Sequence, residues 1–417
     1  MRNFLLLASS ITVFVLLDQG CSGTNTPLNI GGDAGSDGAS SGGSSGGSSS
    51  SGGSGSSSSG GGDAGADASD ASMCPPPSPG NYDIPNNGCD DDGDGLVDDT
   101  PVCDKGLAVD GPAGDFAKAL GLCQTATGAN DPKWGVVSAT YTQGFAAAAP
   151  NASQHGLLTK FGSVVAPREG STFGVLSSGF AREWDDAAGT SANDCTTPTT
   201  QTMASCFKGF QPPMTGVTTG GAPPGYPRAP AGCPVAMTTY DTIGVTLAIK
   251  VPNNAQGFLF DYDFWSGEWP EWVCSNFNDS FVAWLESAAF TGTAGDLNLT
   301  VDAMNVPVSV NNSFFDRCTT NTPTGCSASM TGTSTCAGGT GELAATGFDD
   351  PGTYCTTPSS GGGATGWLET KAPAKPGEIM KIQFIIWDTS DPNWDSSVLV
   401  DHFAWQPGKT KNGTKRP

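Results

Sequence analysis

Histidine is nearly missing from this chain: two residues, His155 and His402, in 417. A His-rich transition-metal site is thereby excluded. Basic charge is scarce as well, with 18 Lys and Arg against 41 Asp and Glu, for a net charge of −23. Such a surface repels nucleic acid and anionic headgroups and favours divalent cations. Charge of either sign is thin, at 14% of residues, while Gly, Ser, Thr and Pro abound. That composition suits an exported β-protein with long turns and not a helical one. Long apolar runs are missing beyond residues 4–17, and that run of about 14 falls short of the roughly 20 a membrane-spanning helix needs. The Gly-x-Ser-x-Gly turn of a nucleophilic serine is absent too. Its nearest approach, Leu176-Ser177-Ser178-Gly179, reads as a turn.

What is present begins with an export signal over residues 1–20: Arg2, the apolar run, then a polar stretch before Cys21. Cys21 is either the lipidated residue of a lipoprotein or a bystander near an ordinary cleavage site, since Asp18-Gln19-Gly20 suits neither signal fully. Cysteine parity favours lipidation. Removing Cys21 from 13 leaves 12, the even set that a disulfide framework in an exported chain requires. The close spacings Cys195/Cys206 and Cys318/Cys326 invite local bridges. Residues 21–72 are then a lipidated terminus and a disordered tether, almost all Gly, Ser, Ala and Asp from 31 onward. At ~5–6 Å × √n its reach is on the order of 35 Å. The geometry is that of a domain held off a membrane, expected to be the outer membrane or surface of a Gram-negative envelope. The basic tail, 408–417, reads as a solvated end.

Residues 73–103 carry an acidic loop with calcium-loop spacing. Asp90, Asp92 and Asp94 fall at positions 1, 3 and 5, Gly95 at the sharp turn, Leu96 at the backbone-carbonyl position and Asp98 at position 9. Pro101 stands where a bidentate Glu would close an EF-hand, so a full EF-hand is excluded. Hard oxygen ligands select Ca²⁺, and a single copy without its last carboxylate is expected to bind at about 10⁻⁴–10⁻³ M. The alternative is a solvated acidic turn.

About 345 residues remain, enough for a substantial core. A short helix is expected over 115–122, with Asp115 in its first turn. Strands are expected over 134–142, 243–251, 257–264, 280–285, 296–301, 306–310, 379–387 and 398–405, with apolar runs at 156–165 and 172–177. The class is all-β, a β-sandwich or jelly-roll-like domain over 104–407 with long disulfide-tied loops at 185–233 and 312–366. In 257–264 the alternation sends Phe258, Phe260, Tyr262 and Phe264 to one face and both aspartates to the other. Residues 257–287 and 378–405 each read strand, acidic turn, strand, and so look like two hairpins.

These stretches resemble the bacterial choice-of-anchor L domain. That family carries an aromatic-rich strand, Ser-x-Glu-Tyr/Trp-Pro-Glu and Asn-Asp-x-Phe, matched by Ser266-Gly267-Glu268-Trp269-Pro270-Glu271 and Asn278-Asp279-Ser280-Phe281. Its later Ile-Trp-Asp and Trp/Tyr-Asp-Ser-x-Val-x-x-Asp elements are matched by Ile386-Trp387-Asp388 and by Trp394-Asp395-Ser396-Ser397-Val398, ending at Asp401. His402 departs from the Asn the family commonly has there. The resemblance covers roughly 103–406, more weakly before 238. It implies a secreted surface domain joined to the envelope by one of several anchors, without catalysis.

The chemistry available agrees with that implication. Glu268 and Glu271 could be taken for a glycosidase pair, but three residues apart in one loop they share an environment that would not push their pKa values apart. Trp265, Trp269, Trp272, Trp387 and Trp394 could stack on a sugar, or could close the core. On the first alternative, Trp269, Trp272, Glu268, Glu271, Asn278, Asp279, Asp388, Trp394 and Asp395 are the ligand contacts. Asp401 shares its strand face with Leu399 and Phe403, so it needs a partner. That partner is either Ca²⁺, shared with oxygens from the 268–279 or 388–395 turns, or backbone N–H groups. The expected partners are thus the membrane through a lipid, and a glycan or protein ligand.

Overall fold

The computed structural model describes residues 74–146, 148–182, 221–311, 314–328, 331–349 and 351–417. The leader, Cys21, the tether, Cys195 and Cys206 lie outside them. In chain order the elements are α1 (Ala113–Ala119), β1 (Gly135–Thr142), β2 (His155–Leu158), β3 (Phe173–Ser177), β4 (Thr239–Lys250), β5 (Gly257–Ser266) and β6 (Ser280–Glu286). After them come β7 (Pro323–Thr324), β8 (Gly332–Thr333), β9 (Pro351–Tyr354), β10 (Thr357–Ser360), β11 (Gly363–Ala364), β12 (Leu368–Pro373), β13 (Ile379–Thr389), β14 (Ser396–Gln406) and β15 (Gly413–Lys415). Helix α1 begins two residues before its expected start, on Pro112, and gives way at Leu120 to Gly121, whose φ of 87° ends it. Asp115 sits in its first turn, paired with Lys118 at 2.8 Å.

Two antiparallel sheets form a sandwich. One runs β1-β4-β13-β6; the other runs β15-β12-β5-β14-β3-β2, with β11 also on β5. The inner faces meet in one core, where Ile243, Val245, Leu247, Phe384 and Ile386 face Phe258, Phe260, Tyr262, Phe264, Val398 and Val400. Phe260 lies edge-on to Phe384 at 5.1 Å and Tyr262 against Phe281 at 5.0 Å. Each of these side chains contributes roughly 1.5–3 kcal/mol by leaving water. The outer faces are covered as well. Phe161, Leu343 and Phe348 pack on Trp265 and Leu399, and Tyr226 packs on Trp284, Ile385 and Trp387. For that reason all ten positions of β5 are buried, not only the alternate ones.

The two expected hairpins are not hairpins. β5 pairs with β14 and β6 with β13, so each stretch leaves one sheet and enters the other. The turns, 267–279 and 390–395, are too long for a two-residue hairpin connection and instead arch across the sandwich. Residues 296–301 and 306–310 form isolated bridges along β6 and not strands, although Leu299 N donates to Ala283 O and Phe281 N to Val308 O. The tail is largely exposed, as expected, but it is tied down: β15 adds to β12, and Arg416 Nη2 donates to Phe314 O at 2.7 Å. Cys318 pairs with Cys336 and Cys326 with Cys355, so the local Cys318/Cys326 bridge is replaced by two interleaved ones. Cys74–Cys89, Cys103–Cys123 and Cys233–Cys274 are also bonded.

Candidate functional site

The two arches meet, and their acidic residues meet with them. Asp279 Oδ1 accepts from Thr389 N at 2.9 Å and its Oδ2 from Ser396 Oγ at 2.7 Å, which ties the first arch to both ends of the second. Gly267 N donates to Asp395 O at 3.0 Å. Glu268 (2% exposed), Asp279 (0%), Asp388 (0%) and Asp395 (3%) are all buried there. β3 supplies a third side: Ser178 Oγ accepts from Ser396 N at 2.9 Å, and a Cβ at Gly179 would stand 1.8 Å from Asp395 Oδ2. Leu176-Ser177-Ser178-Gly179 is therefore the surface on which the second arch rests, and only Gly fits at its end. Asp241, held at a φ of 46° beside the bulge in β13, brings a fifth buried carboxylate.

Among the described residues, the charged groups acting on Glu268, Asp279 and Asp388 are other carboxylates. Burial pushes Glu268 and Asp388 well above the usual carboxylate range, and the charge of Asp279 adds to both. Asp388 feels Asp395 and Asp241 in the same sense, and Asp279 itself is raised by burial. Both Asp388 carboxyl oxygens and Glu268 Oε2 are buried without a hydrogen bond. The Ser178 hydroxyl and the Asp279 carboxyl lie beside Asp388 without closing one.

Asp401 is not part of this group. On the β5–β14 ladder it pairs with Asp261, five positions from Ser396–Ser266, or roughly 17 Å at ~3.4 Å per residue. Its carboxylate takes the second partner expected for it: Arg168 N (2.6 Å) and Glu169 N (3.2 Å) donate to Oδ2, and His402 N (2.7 Å) to Oδ1. Asp261 Oδ2 meets Arg168 Nε and His402 Nδ1, each at 3.1 Å. His402, at a φ of 52°, is the extra residue of a bulge between Asp401 and Ala404. The bulge shifts the phase by one, so Phe403 turns to the inner core and does not share the face of Asp401, as strict alternation requires.

The acidic loop gathers Asp83, Asp90 and Asp92, whose carboxylate oxygens lie within 4.8 Å of one another. Asp83 lies outside the calcium-loop spacing and was not legible from it. Asp90 accepts from Gly93 N, Asp94 N and Gly95 N, and Asp94 from Leu96 N. Asp98 turns away to Asn87 N and Gly88 N. Leu96 is 57% exposed.

Of the tryptophans, Trp265 and Trp387 are core residues, and Trp269, 8% exposed, lies flat on Phe315 at 4.4 Å. Trp272, Trp394 and Glu271 are half-buried. Asn278 is structural: its Nδ2 donates to Arg228 O at 2.9 Å and its Oδ1 accepts from Asn311 N at 3.0 Å.

Among the described residues no helix is long and apolar enough to cross a membrane. Residues 239–404, from the start of β4 to the end of the β14 bulge, match the model of the choice-of-anchor L domain. Both arches fall inside that span; Ser178 and Gly179 fall before it. No curated protein and no solved structure matches the chain.

Proposed function

We propose, from the premise that residues 239–404 are a choice-of-anchor L domain, that this is a non-enzymatic, lipid-anchored protein. It is displayed on the outer membrane of a Gram-negative cell and binds a ligand there. A place at the cell surface follows from the family, and five disulfides among the described residues suit an oxidising compartment. The observation that carries the non-enzymatic reading is the burial of the acidic motif residues. Glu268, Asp279 and Asp388 lie inside the frame, where substrate does not reach them. His155 is stacked on Tyr141 at 3.7 Å, and His402 is bonded to Asp261. The half-buried Trp272, Glu271 and Trp394 are what the turns offer to a ligand. They support a protein or glycan contact at this end of the sandwich, with a glycan the alternative that a Trp favours.

Anchoring and display are tested together on whole cells. Cys21→Ser moves the protein from the membrane fraction to the soluble one and abolishes labelling by fatty acid, while external protease removes the wild-type protein from intact cells. Unchanged fractionation rejects the lipid anchor; protection from protease rejects surface display. A glycan array read with the wild type and with Trp272→Ala/Trp394→Ala decides the ligand class, and absence of wild-type binding removes the glycan alternative.

A further inference from the structure

A recess lies at the opposite end of β6 from the arches. The chain leaves β6 at Glu286, roughly 20 Å from Ser280 at ~3.4 Å per residue, and residues 289–293 and 301–305 then form one wall. The segment entering β15, residues 412–414, forms the other, and between the two is an open cleft of about 570 Å³. That volume suits a small ligand. The walls are fixed from behind. Asp302 Oδ1 accepts from Met304 N at 2.9 Å and from Val306 N at 2.8 Å, and Thr414 Oγ1 meets Thr370 Oγ1 at 2.7 Å. Phe290, half-buried, packs against the main core and also lines the cleft.

The chemistry lining that space carries one charge. Among the described residues, Asp302 is its sole ionisable side chain, and Asp302 Oδ2 accepts no hydrogen bond. The side chains of Thr291, Thr293 and Asn305 have no hydrogen-bond partner among the described residues either. Asn412 lines the cleft with its Oδ1 shielded from water and unpaired, an acceptor that a ligand hydroxyl would satisfy. An anionic ligand finds no cation here, and one carboxylate is too few for a bare calcium ion, which takes about six to eight oxygens. Hydroxyls and amides that donate and accept, one free carboxylate oxygen and an aromatic ring match a molecule that is uncharged and rich in hydroxyls. We propose that this cleft binds a neutral oligosaccharide, with a sugar ring against Phe290 and its hydroxyls bonded to Asp302 Oδ2, Thr291, Thr293 and Asn305. The site is separate from Trp272 and Trp394 and does not rest on the ligand contact proposed for them.

The test uses the full-length chain carrying Trp272→Ala and Trp394→Ala, which takes the arch end out of the response. It is titrated calorimetrically with neutral gluco- and manno-oligosaccharides at millimolar concentration, and with oligogalacturonate as the charged comparison. The expected result is binding of a neutral oligosaccharide in preference to oligogalacturonate. Adding Phe290→Ala weakens that binding about tenfold, through loss of the aromatic face. Asp302→Asn weakens it to a similar degree. Its Oδ1 still accepts from Met304 N and Val306 N, so the wall keeps its shape, and this variant decides the matter if Phe290→Ala does not fold. Absence of binding by every neutral probe in the background chain overturns the site, whatever the arch end does. Binding undiminished by Phe290→Ala and Asp302→Asn overturns it too. Tighter binding of oligogalacturonate overturns the choice of a neutral ligand.

Discussion

His155 is a buried base with an acid cost. It lies flat on Tyr141, and burial first, then the neighbouring Arg182, pulls its pKa down to about 4, with Asp110 acting weakly the other way. Unfolded, the ring titrates near 6.5. Below that pH the unfolded chain takes up a proton that the folded chain refuses. Stability is therefore fully present above pH ~6.5 and is lost as pH falls toward 4, by about 3 kcal/mol in all. His155→Phe keeps an aromatic ring on Tyr141 and removes the titration. Urea midpoints at pH 7 and pH 4.5 should fall by less in the variant than in the wild type; equal falls would show that the carboxylates alone set the acid limb. Residue-level reading from sequence succeeded where a rule of local spacing applied. Phe258, Phe260, Tyr262 and Phe264 do face the inner core, and Asp261 and Asp263 do face away. It failed at Phe403 because a bulge at His402 adds a residue that no periodicity announces.

At the scale of elements, β4, β5, β6, β13 and β14 were legible to within a few residues, since apolar alternation is local. Their pairing was not. A strand, acidic turn and strand read equally well as a hairpin or an arch, and only the long-range ladders β5–β14 and β6–β13 decide between them. The acidic turns were legible as polar and their burial was not, because it is produced by Ser178 and Gly179 arriving from β3, about a hundred residues upstream of Glu268 and outside the matched family span. The first arch is further tied by Cys233–Cys274, which closes a span of 41 residues around β4 and β5. Replacing both cysteines by Ala should cost about 4 kcal/mol on the chain-entropy scale, read as a lower denaturant midpoint. A shift as small as that from a surface substitution would mean the arch is held without the bond.

For the whole molecule, the acidic loop is not an appendage. Tyr82 enters the main core, Tyr82 N donates to Asn254 Oδ1 at 3.0 Å, and Asn254 Nδ2 returns a bond to Tyr82 O at 2.8 Å. Asn253 N adds a third bond, to Gly80 O at 2.7 Å. Asn254→Ala removes the reciprocal pair, at about 1–2 kcal/mol, so the loop should open some 5–30-fold more often. Limited proteolysis reads that as faster release of the segment before residue 100; an unchanged rate would mean other contacts seat the loop. The exchange of partners between the arches also bears on how the chain is made. Both neighbours of β5, β12 and β14, follow it in sequence, and β14 comes from roughly 130 to 150 residues later. A polypeptide still being synthesised holds β5 with no sheet to enter. On that topology the second sheet closes only when the final strands have emerged, and until then most of the chain stays slack.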